Sequence, residues 1–264
     1  RAPSQVTSTP SAAPRTVAPR IGARAACEAL VREGVSVMFG YPGGAVLPIY
    51  DVLREYPLRH ILVRHEQGAA HAADGYSRAT GGVGVALATS GPGAINLVTG
   101  LATAMMDSVP MVAITGNVPR AMLGKDAFQE TDIVGIALPV TKYAAVVMDT
   151  DEIPLAIAEA FEIARSGRPG PVLLDFPKDV LQAETSAPHP EPHELRLPGL
   201  LRPRRGDVPE AEVLAGMIAA SERPLILTGH GVQIARADGL LVSVAERAQI
   251  PVVHTLLGVG TIDE

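Results

Sequence analysis

The sequence has no tryptophan and only 3% aromatic residues, which leaves little to stack on exposed bases and argues against single-stranded nucleic acid as a ligand. A net charge of -6 points away from nucleic acid of any kind. One cysteine, Cys27, excludes an internal disulfide framework and suits a reducing compartment. It falls on a probable helix face, where a small buried apolar role is the expectation. No apolar run reaches the ~20 residues of a membrane span, so no membrane partner is expected. The first twenty residues contain no acid, three Arg and many Pro, Ser and Thr. Such a segment cannot bury enough surface to order itself, and it lacks the apolar core of a secretory signal. It reads as a disordered tail of a bacterial cytoplasmic protein, with a plastid transit peptide as the weaker alternative. No Gly-Lys-Ser/Thr follows any glycine turn, and no full G-x-G-x-x-G occurs, so neither phosphate-loop fingerprint is present. The seven His show no ligand spacing, and the position four after His65 is Ala69. No metal site is expected from them.

What is abundant is Ala, Val, Leu and Gly, within a hydrophobic share of 47% over 264 residues. That composition fits parallel α/β sheets buried on both faces. After the tail, 1–20, short apolar runs alternate with helical patterns through 183. The strands read as 35–40, 61–63, 83–88, 110–115 and 171–176, with 142–148 as a further apolar segment and helices of ten to sixteen residues between strands. This alternation implies right-handed βαβ units and a parallel sheet. Residues 184–207 are rich in Pro and Arg and read as an interdomain linker. A second α/β pattern opens at 208. It offers only two strands before 264, so it reads as a domain cut short.

Glycine-rich turns follow four predicted strands, at 40–44, 89–93, 115–116 and 228–231. In an open parallel sheet, ligands bind at the carboxyl ends of the strands. Glu66 follows the apolar run 61–63 and falls on the same rim. A glutamate there is either an anion favouring a helix start or a catalytic acid in an apolar wall. One glycine turn alone is ordinary turn geometry. Three turns and a carboxylate on one rim favour a site.

The segments "FGYPGGAVLPIYDVL", "RHEQGAAHAADGYSRATG", "ATSGPGAINLVTGLATAMMDSVPMVAITG", "DAFQETDIVG" and "SGRPGPVLLDFPKDV" together resemble the large, catalytic subunits of acetolactate (acetohydroxyacid) synthases, which use thiamine diphosphate. The resemblance covers 21–180 closely and continues more loosely through 209–262. It implies a pyrimidine-binding α/β domain at 21–183 and the beginning of a central, FAD-binding-type domain at 208–264. It also implies a role for Glu66, which in the family hydrogen-bonds a ring nitrogen of the cofactor's aminopyrimidine and helps remove the thiazolium C2 proton. Tyr41, Pro92 and Asn96 match residues near the pyrimidine, and Gln129 approaches the same site. Gly44 and Ala45 match the turn near the reacting centre, Phe128 a wall of the substrate pocket, and Lys178 a cation at the substrate entrance that favours anionic 2-ketoacids.

The family also binds FAD in a mainly structural role. Arg168, Asp107, Gly229, Gly231, Thr255 and Leu256 match those motifs, since Arg pairs with phosphates and glycine permits close backbone approach. The implied activity is decarboxylation of pyruvate and condensation of the two-carbon unit with pyruvate or 2-ketobutyrate, in branched-chain amino-acid synthesis. The implied assembly is a homodimer or homotetramer with a small regulatory subunit. The implied Mg²⁺ and diphosphate ligands belong to a third domain whose motif is not found here, so the chain alone should be inactive. Three positions depart from the family pattern: Lys125, His230 and Leu257. Pyruvate oxidases and other carboligases are the nearest alternative, and a noncatalytic flavin- or nucleotide-binding module is an alternative of another class.

Overall fold

The computed structural model describes residues 18–191, 194, 195, 197 and 208–262. The predicted tail up to residue 17 and most of the predicted linker lie outside them. The chain divides into two compact units, Arg1–Arg202 and Pro203–Glu264.

In the first unit the elements run β1 (Arg20–Ile21), α1 (Gly22–Arg32), β2 (Val37–Gly40), α2 (Leu47–Leu53), β3 (Arg59–Leu62), α3 (Glu66–Thr80) and β4 (Gly84–Ala88). They continue with α4 (Pro92–Ile95), α5 (Val98–Asp107), β5 (Met111–Asn117), α6 (Ile133–Ala137), β6 (Tyr143–Val146), α7 (Ile153–Arg165), β7 (Pro171–Pro177), α8 (Lys178–Gln182) and β8 (Glu184–Thr185). Six strands form one sheet in the order β3-β2-β4-β5-β7-β6, and every pairing is parallel. Burial follows position. Every residue of β4, β5 and β7 is buried, while the edge strands β3 and β6 are partly exposed. Continuous apolar runs such as "GVALA" are what a strand covered on both faces requires.

Two apolar layers cover the sheet. One joins α1, α2, α7 and α8 through Leu30, Ile49, Phe161 and Leu181 to Val85, Ile114 and Leu174. The other joins α3, α4, α5 and α6 through Ala70, Ala94, Leu101 and Ala137 to Ala86, Ala113 and Leu173. Cys27 lies in the first layer, fully buried. Desolvation there, followed by the charge of Glu28, pushes its thiol up to about 12, so it is inert as a nucleophile at neutral pH.

The small residues of α3 set how closely that helix lies on the sheet. Ala69, Ala70 and Ala73 are wholly buried. A methyl at Gly84 would fall 2.1 Å from the Ala73 carbonyl oxygen, and one at Gly100 would fall 2.3 Å from Ala70 Cβ. The helix is therefore pressed between β4 and α5 at backbone contact. Ala69, Ala70 and Ala73 serve this packing, while Gly68, Gly75 and Ala79 are exposed.

Three local features differ from the sequence reading. The pattern 94–108 is two helices, α4 and α5, separated at Asn96 and Leu97, whose backbone stays in the right-handed helical region. The loose stretch before residue 138 contains α6, started by Asp132, whose Oδ1 accepts from Gly135 N at 2.9 Å. The first residues of the predicted linker, Glu184 and Thr185, pair antiparallel with Ile21 and Arg20. Arg20 Nη2 also donates to Ala187 O at 3.0 Å. A two-residue strand has no periodicity to read.

In the second unit, β9 (Ile226–Thr228) and β10 (Val252–His254) pair in parallel, with α9 (Val208–Ala220), α10 (His230–Ile234) and α11 (Asp238–Ala248) around them. The predicted order of helix and strand is observed, with the short α10 added.

Candidate active site

The order β3-β2-β4 means that the chain leaves β2 in one direction and returns on its other side. Ligands bind at such switch points, at the carboxyl ends of the strands. Four segments meet there. Residues 41–46 leave β2, Arg64 and His65 lead from β3 into α3, residues 89–91 leave β4, and β5 ends at Asn117.

Glu66 is the first residue of α3, buried at 8% exposure. The cap of that helix is His65, whose Nδ1 accepts from Gln67 N at 3.2 Å. The helix start is thus served by the neighbour, and the Glu66 carboxyl turns instead to α4. Asn96 Nδ2 donates to Glu66 Oε2 at 2.9 Å. Oε1 faces Gly93, where a methyl would stand 3.1 Å away. One oxygen is therefore held and the other is kept close to bare backbone. Burial, and then the charge of Glu66, push the nearby Tyr50 phenol up. Its hydroxyl lies 3.0 Å from His60 Nε2.

The glycine turn after β2 is fastened to the one after β4. Ala45 N donates to Thr89 Oγ1 at 3.3 Å, and a methyl at Gly43 would overlap Thr89 Cβ at 2.5 Å. Ala45 and Val46 in turn abut Gly116, where a methyl would lie 2.8 Å from Ala45 Cβ. Gly44 opens to free space, and Tyr41 is 40% exposed. Gln129 packs its backbone on Gly91, and Phe128 beside it is 87% exposed. Lys178, half-buried, opens α8 at the exit of β7. Tyr41, Gly44, Ala45, Glu66, Pro92, Asn96, Phe128, Gln129 and Lys178 thus belong to one edge of the sheet. Lys125 Nζ donates back to Ala121 O at 2.7 Å, so this departure from the family pattern is absorbed by its own loop.

Asp107 and Arg168 lie at the opposite edge. Asp107 ends α5 and pairs with Arg78 at 2.7 Å. Arg168 donates to Ser108 Oγ and to the Met105 and Met106 carbonyls at 2.8, 3.1 and 2.8 Å, closing the end of the same helix. The fold of this unit does not bring them to Glu66.

In the second unit, Gly229 and Thr255 directly follow β9 and β10, Gly231 lies in the first turn of α10, and Leu256 follows Thr255. Thr255 N donates to Thr228 O at 2.9 Å. Thr228 Oγ1 and His230 Nδ1 are buried there without a hydrogen-bond partner, an arrangement that costs free energy until a ligand supplies one. A methyl at Gly231 would meet nothing.

One cluster escaped the sequence reading. Asp175, wholly buried in β7, accepts from Thr115 Oγ1 at 2.6 Å and Asn117 Nδ2 at 2.5 Å. These bonds lock the ends of β5 and β7 beside the 43–46 turn. An acid inside the apolar run "VLLDF" was the available signal, because a buried charge needs partners. Desolvation raises this carboxyl from 3.8 to about 6, against the lowering effect of its two hydrogen bonds. The folded state therefore holds the proton more tightly than the unfolded chain. By linkage, stability declines as pH rises from about 4 to about 6, and this contribution is constant above that window. In Asp175→Asn that decline should flatten, as measured by urea unfolding across the same pH range.

Comparison with known proteins bears on what this rim holds. Residues 20–136 match the thiamine pyrophosphate enzyme N-terminal TPP binding domain, and residues 211–264 match the thiamine pyrophosphate enzyme central domain. An acetolactate synthase of Arthrospira platensis is 52% identical over 247 residues, covering 92% of this chain and 43% of that protein.

The chain is a homologue of acetolactate synthase large subunits.

The acetolactate synthase large subunit of Parasynechococcus marenigrum is 52% identical over 256 residues, covering 96% of the chain and 41% of its own length. A probable acetolactate synthase large subunit of Methanocaldococcus jannaschii is 51% identical over 244 residues, with coverage of 92% and 41%. The chain thus spans about two fifths of these relatives. The matched TPP-binding domain contains Glu66, Asn96 and both glycine turns of the switch point.

Proposed function

We propose that the whole protein is an acetolactate synthase that decarboxylates pyruvate and condenses the two-carbon unit with pyruvate or 2-ketobutyrate, serving branched-chain amino-acid synthesis in the cytoplasm. The observation that carries this reading is the held carboxyl of Glu66 at the switch point of a TPP-binding domain. When bound, thiamine diphosphate supplies carbanion-stabilising chemistry. Glu66 Oε1 would be the atom to share a proton with a ring nitrogen of the aminopyrimidine, while Asn96 fixes Oε2 and keeps the carboxyl from rotating away. Gly93 would leave the ring room to approach, with Tyr41 and Pro92 as the residues that would hold it. Gly44 and Ala45 leave room at the reacting centre. Phe128 and Gln129 bound the substrate, and Lys178 draws in the 2-ketoacid carboxylate. No residue of this chain is assigned to Mg²⁺ or the diphosphate.

In the same reading the second unit binds FAD. The open Gly231, Gly229 beside Thr255, and the unpartnered Thr228 and His230 atoms suit a polar ligand, with Leu256 next in the chain. Asp107 and Arg168 of the first unit also match the family's FAD motifs. The assembly is a homodimer or homotetramer with a small regulatory subunit, as the "large subunit" name of the relatives suggests.

The test is product analysis of the full-length protein purified with its cofactors. Acetolactate from pyruvate, together with bound FAD, is the expected result. Acetate or a free aldehyde without acetolactate would assign the chain to another thiamine diphosphate activity.

A further inference from the structure

The segment from Arg120 to Asp132 leaves β5 and returns to α6 carrying Phe128 and Gln129. Its start is anchored on α8, where Arg120 gives Asp179 two hydrogen bonds, N to Oδ1 at 2.9 Å and Nε to Oδ2 at 2.8 Å. Within it, Gly124, Asp126 and Gln129 have φ of 74°, 53° and 58°. Left-handed backbone is disfavoured for a residue such as Gln129, so the loop needs something that holds it there.

Glu130 does so. Its carboxylate accepts from Gly124 N, and from Ala127 N at 2.8 Å, while its own N–H donates to Ala127 O at 2.9 Å. A carboxylate that accepts from two backbone N–H groups three residues apart ties the loop to itself through charge-assisted hydrogen bonds. The left-handed Gln129 lies against Gly91, where a methyl would stand 2.7 Å from its carbonyl oxygen and 3.0 Å from its Cα. Gly91 opens the turn into α4, which carries Gly93 and is followed by Asn96, both against the Glu66 carboxyl. Contact is therefore continuous from Glu130 to Glu66.

We propose that Glu130 is a positioning residue. Its carboxylate seats Gln129 and Phe128 over the Gly91 turn and so governs how the 2-ketoacid is held, without taking part in proton removal by the Glu66 region. This rests on the acetolactate synthase reading. Gln at 130 has the same shape but turns an amide N–H₂ toward one of the two backbone N–H groups, and Ala removes both bonds.

In the full-length enzyme, Glu130→Gln and Glu130→Ala should lower kcat/KM for acetolactate formation by about tenfold or more, the scale of an ångström-level displacement. Exchange of the C2 proton of bound thiamine diphosphate should stay within about twofold of the parent rate. Hydrogen exchange should show lost protection confined to the 120–132 segment. The inference is overturned if both variants keep kcat and KM, if C2-proton exchange falls in step with turnover, or if protection is lost across β4 and β5. A parent enzyme that makes no acetolactate would bring down the functional reading and this inference together. An active parent matched by its variants brings down the inference alone.

Discussion

Glu66→Gln in the full-length protein should slow exchange of the C2 proton of bound thiamine diphosphate by about 10²–10⁴-fold, the usual contribution of a positioned acid–base group. Gln keeps the size of the side chain and an oxygen able to accept from Asn96 Nδ2, which now binds the carboxylate at 2.9 Å. What it loses is the ability to pass a proton. Packing around the residue should barely change, since Gly93 and the α3 start make no demand on charge. Turnover should fall with exchange, while the cofactor still binds. The measurement is acid-quenched hydrogen–deuterium exchange at C2, followed by NMR. An exchange rate equal to the parent's would remove Glu66 from proton transfer and leave the noncatalytic binding module as the better description.

Gly84→Ala should destabilise the protein by about 3 kcal/mol, the upper part of the usual range for overpacking. The added methyl would stand 2.1 Å from the Ala73 carbonyl oxygen and 2.6 Å from its carbon, both backbone atoms. No side chain can rotate to relieve this contact. Either β4 shifts against its paired neighbours β2 and β5, or α3 lifts from the sheet and exposes Ala69, Ala70 and Ala73. If the helix lifts, Glu66 at its first turn moves with it, so activity per folded molecule should also decline. Urea unfolding of the full-length protein checks the first effect, and titration of active sites the second. A loss below about 0.5 kcal/mol, the size of an ordinary surface change, would mean that α3 does not rest on β4 as closely as described.

Much of this architecture was legible in the residues. The fully apolar runs of β4, β5 and β7 announced a sheet covered on both faces, and the glycine turns marked the strand ends that meet at its switch point. The Glu66 position could be read because an isolated acid between an apolar strand and a helix start is unusual. Elements too short to show a period were not legible, such as β1, β8 and α10. Nor was the Asp175 cluster, because its partners Thr115 and Asn117 are sixty and fifty-eight residues away. The purpose of the small residues in α3 was legible only in part. Ala69, Ala70 and Ala73 are the contact surface for β4 and α5, which no local pattern announces.

The chain order of apolar and polar residues was enough to determine a parallel α/β unit with a carboxylate on its ligand-binding edge, because periodicity and turn chemistry are local properties. Tertiary structure alone decided which oxygen of Glu66 is held by Asn96, that Gln129 rests on Gly91, and that Asp107 and Arg168 face the other edge. Those outcomes depend on strand order and helix-to-sheet distance, which arise only when segments remote in sequence are packed together.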